Sequence, residues 1–188
     1  MNIRIRSWSS RTFYDPEPVL REFRRLEYAL ADEDIPDLLR RLRTNGLKPA
    51  REGRDALIFA HGMATVVGAK VLVAPGETEN CDFITRTTND QVEHFACVQL
   101  KELAPADLSP QQTLATLVAN LQKYAPSDST LAVHLNRQGR IPFADLAEVR
   151  APFSEVWFFW AADPEQATWY LYGGTPGDPI LREFTYPA

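Results

Sequence analysis

The segment from Asp82 to Lys101 limits the possible folds of this chain more than any other. Two stretches in it, Asp82 to Thr88 and Val92 to Lys101, are rich in β-branched and apolar residues. They flank Asn89-Asp90, a pair that is typical of tight turns. The pattern therefore predicts two antiparallel strands joined as a β-hairpin.

This hairpin brings polar side chains together in one particular register. With Thr88 opposite Glu93, the same register sets Asp82 opposite Gln99. Gln99 and Lys101 are two residues apart on one strand, so their side chains point to the same face of the sheet. A slip of one residue would break the arrangement. In the expected register, a carboxylate, an amide and an ammonium group converge at one end of the hairpin.

The chain before the hairpin predicts helices and then strands. Met1 to Trp8 alternates apolar and polar residues like a short strand, and Asp15-Pro16 is typical of a helix start. A second helical segment, Ile35 to Arg43, precedes the stop signal Asn45-Gly46. From Asp55 the content of β-branched and apolar residues predicts a pair of strands, 56–60 and 64–73, separated by Gly62, with a turn at Pro75-Gly76. The apolar face of the first helix is formed by Val19, Leu20, Phe23, Leu26 and Leu30.

The chain after the hairpin predicts one helix and further strands. Ser109-Pro110 starts the helix, which ends before Pro126, and Thr130 to Leu135 is the next strand. Glu155 to Ala162 and Thr168 to Tyr172 predict a late hairpin that is dense in Trp and Tyr. These aromatic residues serve core packing or an oligomer contact in one interpretation, and a base-stacking platform in the other. The whole order predicts a single α/β domain over residues 1–188, a mixed central sheet flanked by helices.

A carboxylate of the first helix is the fourth candidate for the site. Glu27 falls inside the arc of the apolar helix face, and Glu22 falls at its margin. A charged group on a buried face needs a partner. That partner is a metal ion shared with Asp82, or Lys101, or an arginine one helical turn away; alternatively, the Glu27 side chain reaches solvent at the edge of the helix–sheet contact.

At these residues the sequence resembles the PD-(D/E)XK nucleases, the restriction-endonuclease-like proteins. Their pattern is a Glu on the first helix, an Asp that opens one hairpin strand, and an acid-x-Lys tripeptide on the next strand. Glu27 (or Glu22), Asp82 and Gln99-Leu100-Lys101 would match it over roughly residues 16–136. Gln99 stands where the family has an acid, and Cys81 stands where it has a proline.

The resemblance implies an αβββαβ core, here with an added C-terminal hairpin at about residues 155–173, and a nuclease that hydrolyses nucleic-acid phosphodiesters. It implies that Asp82, Gln99 and Glu27 hold Mg²⁺ through oxygen ligands. It also implies that Lys101 positions a water molecule or stabilises negative charge on the phosphate. The alternative is an inactive member of the same fold that acts as a protein-binding or oligomerising module. An unrelated α/β domain with a small-molecule pocket remains a third interpretation.

The charge distribution and the cysteine content bear on the ligand and the cellular compartment that we expect for this protein. Residues 1–54 hold 12 Lys/Arg against 9 Asp/Glu, although the whole chain has a net charge of −5. A basic first third could face nucleic acid, or it could be an ordinary solvated surface. No apolar stretch approaches the ~20 residues that a bilayer crossing needs, and we expect a cytoplasmic protein. Its two cysteines, Cys81 and Cys97, are expected as buried reduced thiols, although the hairpin could bring them near one another.

Overall fold

In the computed structural model, seven strands form one mixed sheet in the order in which they occur in the sequence. The structure describes residues 7–31, 33–78, 81–137, 141–149, 151–175 and 177–188. The strands are β1 (Val71–Thr78), β2 (Cys81–Asn89), β3 (Val92–Leu103), β4 (Thr130–Leu135), β5 (Glu155–Ala161), β6 (Thr168–Gly174) and β7 (Ile180–Thr185). The helices are α1 (Pro16–Ala31), α2 (Asp37–Arg40), α3 (Lys48–Val67), α4 (Leu114–Leu121) and α5 (Phe143–Ala147), with a 3-10 turn over Asn45–Leu47. The predicted α/β class with a mixed sheet is confirmed.

The sheet changes direction twice. Neighbours are antiparallel from β1 to β3 and from β5 to β7, whereas β3, β4 and β5 run parallel. Parallel neighbours need a crossover connection, and α4 and α5 lie in the two crossovers. In the described part of the chain, no helix is both long enough and apolar enough to cross a bilayer.

Each face of the sheet buries its own hydrophobic cluster. Leu20 of α1 and Phe59 of α3 pack on one face against residues such as Phe83, and we call this face the α1/α3 side. Leu117 of α4 and Leu146 of α5 pack on the other face, which we call the α4 side. Because side chains alternate along a strand, each strand residue belongs to one side or the other.

Helix α3 occupies a region where the sequence predicted strands, and that prediction was wrong. Every residue from Asp55 to Ala60 is buried, because α3 packs against α1 as well as against β1, β6 and β7. A helix that is buried on all sides has no polar face, so its sequence does not show the alternation of apolar and polar residues at the helical period of 3.6. Pro49 lies in its first turn, and Gly68 ends it with φ 67° and an N–H bonded to the Ala64 oxygen at 3.0 Å. Pro75-Gly76, predicted as a turn, lies within β1.

The predicted first helix is confirmed as α1, but only half of its apolar face is used. Leu20 is fully buried, whereas Leu26 is 58% exposed and Leu30 is 40% exposed. The second predicted helix shortens to α2. Asn45-Gly46 does not end a helix there; it leads through the 3-10 turn into α3. Residues 1–6 of the predicted first strand lie outside the described residues, and Ser7 and Trp8 belong to a helical turn.

The late elements largely follow the prediction. Strand Thr130 to Leu135 is confirmed, and the aromatic hairpin is confirmed as β5 and β6. Its residues Trp157, Phe159 and Trp169 are at most 2% exposed, so core packing is confirmed for these three. Helix α4 starts later than predicted, after a capping box at Thr113. The last strand, β7, was not predicted.

Candidate functional site: the hairpin and the cleft beside it

The β2–β3 hairpin has the predicted register. Thr88 lies opposite Glu93, and the pairing continues to Phe83 opposite Val98. The turn itself consists of two residues, Asp90 and Gln91, both with positive φ (46° and 65°). Turns of this kind match the twist of the strands they join, and so they fix the register.

Asp82 lies just beyond the last regular pair and contacts β3 through its side chain. Its Oδ2 accepts a hydrogen bond from the backbone N–H of Leu100 at 2.6 Å. The side chain is otherwise exposed. The carboxylate is therefore held beside the Gln99-Leu100-Lys101 segment, as the sequence predicted.

Gln99 and Lys101 share the α4 side of the sheet with Leu103, two residues further along β3. Gln99 is only 3% exposed. Lys101 is half-buried, and its Nζ lies 5.6 Å from the centre of the Tyr124 ring, within range of a cation–π contact. The ammonium group thus lies next to the segment that follows α4.

A cleft of about 650 Å³ opens on the α4 side next to these residues. That volume is in the range of small-ligand sites. Its floor is formed by β2 and β3, including Gln99, and its walls are the segment with Ser7 and Arg11 and the loop from Tyr124 to Ser129. Asp82 adjoins the cleft through its neighbour Cys81, and Lys101 adjoins it through Tyr124. Sequence analysis missed the walls, because no local spacing shows that two such distant segments meet.

Two thiols lie in the floor of this cleft. Cys81 is buried and Cys97 is half-buried, both are reduced, and both line the cleft. The Cys81 Sγ donates to the carbonyl oxygen of Phe83 at 3.3 Å. A hydrogen bond from Cys97 lowers the pKa of the Cys81 thiol, assisted by the Val98 N–H and against the effect of burial. Cys81 is buried as expected, Cys97 is only half-buried, and no disulfide joins them.

The structure does not bring Glu27 to this site. Its carboxylate forms ion pairs with Arg24 at 3.0 Å and with Arg54 at 2.9 Å, on the α1/α3 side of the sheet. The partner one helical turn away, one of the expected alternatives, is therefore present, and Arg54 of α3 is a second. Glu22 pairs with Arg25 at the surface, where both side chains are more than 60% exposed. Neither glutamate of α1 joins Asp82, because the sheet separates them.

A second polar cluster lies on the α1/α3 side, at the carboxyl ends of β3 and β4. Glu102 pairs there with Arg43 through both carboxylate oxygens and accepts a hydrogen bond from Asn136 at 2.8 Å. Burial alone would raise the pKa of Glu102, but the bonds from Arg43 and Asn136 outweigh it and lower the pKa. His134 stacks on Phe159 nearby. Glu102 therefore faces away from Lys101.

Few of the described side chains are placed where they could ligate a metal ion together. In the ranges that the structure describes, no three His, Cys, Asp or Glu side chains gather as metal ligands do. Asp82 and the amide oxygen of Gln99 are hard oxygen donors on neighbouring strands, and Mg²⁺ commonly uses one or two carboxylates together with several water molecules. Because Glu27 lies elsewhere, the hairpin offers two of the three ligands that the resemblance implies.

Comparisons with family models, curated proteins and solved structures found no match to this chain.

Proposed function

We propose that this chain is a Mg²⁺-dependent nuclease-like protein of the PD-(D/E)XK kind, hydrolysing nucleic-acid phosphodiesters in the cytoplasm. Its element order supports the proposal: α3 precedes the antiparallel strands β1 to β3, and α4 leads to β4, parallel to β3. This element order supports the αβββαβ core that the resemblance implies, with β5, β6 and β7 as additions. The basic first third of the chain, including Arg11 in the wall of the cleft, supports nucleic acid as the ligand.

The observation that carries the proposal is the contact of Asp82 with β3. An exposed carboxylate fixed at 2.6 Å to the Leu100 N–H lies beside an amide and an ammonium group that share a face. The Leu100 N–H holds one carboxylate oxygen of Asp82 in place, so the second oxygen is already oriented before a ligand binds. Ligand binding therefore does not have to order this side chain. A catalytic site requires side chains that are held in place before the substrate binds, as Asp82 is here.

In this proposal Asp82 and Gln99 hold the metal ion, which supplies polarisation of the scissile phosphate when bound. Lys101 places its positive charge where negative charge develops on the phosphate. Glu27 has no part in the site. Because α3 packs on the same side of the sheet as α1, no helix carboxylate is assigned to the site.

The test uses the purified full chain with labelled single-stranded DNA, duplex DNA and RNA, in Mg²⁺, Mn²⁺ or EDTA. Asp82→Asn and Lys101→Ala are each expected to lower kcat/KM by about 100-fold or more. Asp90→Asn, at the exposed turn of the same hairpin, is the matched control and should leave cleavage unchanged. Glu27→Gln should also leave it unchanged. Cleavage that survives in both Asp82→Asn and Lys101→Ala would show that the site is wrong.

The second candidate is an inactive member of the same fold that binds a protein or a second copy of itself. It is favoured by one observation: Glu27 is held by two arginines and Gln99 replaces an acid, so Asp82 is the single carboxylate contributed by the predicted set. An oligomer contact through the late hairpin would use Trp160 and Tyr170, which are half-buried and whose ring centroids lie 5.6 Å apart. If the chain has this second function, we expect calorimetry to detect no heat of Mg²⁺ binding. We also expect the purified chain to sediment as a dimer. A monomer whose Mg²⁺ binding is lost in Asp82→Asn would contradict it.

A further inference from the structure

The two walls of the cleft stand on opposite sides of its floor. Arg11 ties the first wall to β1, because its Nη1 donates to the Pro75 oxygen at 2.6 Å. The second wall, the loop from Tyr124 to Ser129, leads directly into β4. In the sheet, β1 and β4 flank the β2–β3 hairpin that forms the floor. Trp8 of the first wall and Tyr124 of the second wall both line the cleft, so it has an aromatic ring on each side.

Hydrogen bonds hold the second wall in place before any ligand binds. The Ser127 N–H donates to the Pro152 oxygen at 2.8 Å, which fastens the loop to the segment before β5. The hydroxyl groups of Ser127 and Ser129 lie 2.7 Å apart and share a hydrogen bond. The Tyr124 ring lies against Phe153, with ring centroids 6.0 Å apart, but the residue remains 38% exposed. A ligand can therefore reach a ring whose position is already set, and binding does not have to order it.

Around the cleft, positive charge is more buried than negative charge. Arg11 of the first wall is half-buried, and so is Lys101, whose Nζ lies 5.6 Å from the centre of the Tyr124 ring. Asp82 beside the cleft and Asp128 in the second wall are exposed. A charge interacts more strongly with a ligand where water is partly excluded than in open solvent. The cleft therefore favours an anionic ligand, and its aromatic walls favour one with a flat ring.

We propose that the cleft binds one unpaired nucleotide, with its base stacked against Trp8 and Tyr124 and its phosphate at Arg11. A nucleotide combines a flat ring with a phosphate, and every base has a π-face that can stack on an aromatic side chain. A base in a duplex is already stacked and paired, so it would first have to leave the helix at a cost in free energy. The inference deepens the proposed function and rests on it for the consequence that a single strand is the substrate.

The first experiment measures binding without cleavage. The full chain in EDTA is titrated into a fluorescein-labelled single-stranded DNA octamer of mixed sequence, and fluorescence anisotropy gives Kd. The same octamer annealed to its complement should bind at least about tenfold more weakly, because its bases are paired. An octamer of abasic tetrahydrofuran units keeps the phosphates but has no bases, and it should also bind at least about tenfold more weakly.

Free deoxynucleoside monophosphates identify the source of the nucleotide. They are added as competitors of the octamer and are also titrated alone by calorimetry. Tight octamer binding that monophosphates displace only weakly identifies a strand as the source. Binding of a monophosphate without binding of the octamer identifies a free nucleotide. That result would support the cleft as a nucleotide site and contradict the proposed nuclease.

Single substitutions test the walls. Trp8→Ala and Tyr124→Ala should each weaken octamer binding by about tenfold, because each removes one stacking partner. Tyr124→Phe keeps the ring and should change Kd by less than about twofold. Arg11→Gln should lower the slope of log Kd against log salt by about 0.7, the value of one phosphate contact with a single strand. Tyr28→Ala, at a 70% exposed residue of α1, is the matched control and should leave Kd unchanged.

Equal affinity for the octamer, its duplex and the abasic octamer would overturn the inference, and so would the absence of any octamer or monophosphate binding. These comparisons use the unsubstituted chain and so do not depend on the folding of a variant. Unchanged binding in both Trp8→Ala and Tyr124→Ala would overturn it as well. Cleavage in Mg²⁺ is measured separately: base-dependent binding without cleavage supports the inference and contradicts the nuclease, and cleavage without base-dependent binding does the reverse.

Discussion

Two glycines in α3 have opposite surroundings. A Cβ added to Gly62 would lie 2.7 Å from Cε1 of Phe184, which is far inside van der Waals contact. The Phe184 ring is buried and stacks against Trp169, so it has little room to move. At Gly53 an added Cβ would meet no atom within 4 Å. Gly62 therefore allows β7 to pack closely on α3, whereas Gly53 only lowers the helix propensity of its first half.

The pair gives a matched prediction. Gly62→Ala should lower the free energy of unfolding by roughly 1–2 kcal/mol, because overpacking outweighs the gain in helix propensity. Gly53→Ala should raise it by about 0.5–1 kcal/mol through helix propensity alone. Urea denaturation followed by circular dichroism measures both. If both variants were stabilised equally, the close approach of Phe184 to α3 would be wrong.

At the next scale, α1 is fastened to α3 by one ion-pair cluster. Glu27 bridges Arg24 of α1 and Arg54 of α3, whose side chains are only 12% and 10% exposed. Both arginines also lie over the ring of Tyr186, at 4.1 and 5.4 Å. Glu22 forms the same kind of intrahelical pair with Arg25, but in solvent.

This contrast predicts different costs for the same substitution. Glu27→Gln should lower the free energy of unfolding by about 1–2 kcal/mol, because it leaves two poorly solvated arginines without a counter-charge. Glu22→Gln should change it by less than about 0.5 kcal/mol, as exposed pairs contribute little. Chemical denaturation of both variants is the measurement. A loss of equal size in the two variants would show that Glu27 does not connect the helices.

The elements that could be predicted from sequence are those defined by local signals. The β2–β3 register follows from a tight turn and alternation on both sides of it, so the position of Asp82 beside Gln99 and Lys101 could be predicted. Helix α3 could not, because contacts with α1 and the sheet bury it all round and hide its period. The same error hid one partner of Glu27, because Arg54 reaches its carboxylate from α3. Pro49 and Gly68 were the available signals of its two ends.

Over the whole molecule, Glu102 joins parts of the chain that are far apart in sequence. It holds Arg43, which lies between α2 and the 3-10 turn, and Asn136, which follows β4. Its side chain is 18% exposed and that of Arg43 is 10% exposed. Because Glu102 is more acidic when folded, its ionised form stabilises the fold as a whole. This contribution is present above the unfolded pKa of about 4.3 and is lost as the pH falls through the lower, folded pKa.

Glu102→Gln should therefore lower the free energy of unfolding by about 2 kcal/mol near neutral pH, since it leaves the Arg43 charge buried without its partner. As the pH falls through the folded pKa of Glu102, this side chain in the unsubstituted chain becomes protonated and neutral like glutamine, so the difference between the two proteins should shrink. Urea unfolding at a series of pH values measures that difference. Glu22→Gln, at an exposed pair, is the control, and its small difference should not depend on pH in this way. If the gap for Glu102→Gln stayed constant across the series, the carboxylate would not be the group through which acid destabilises this fold.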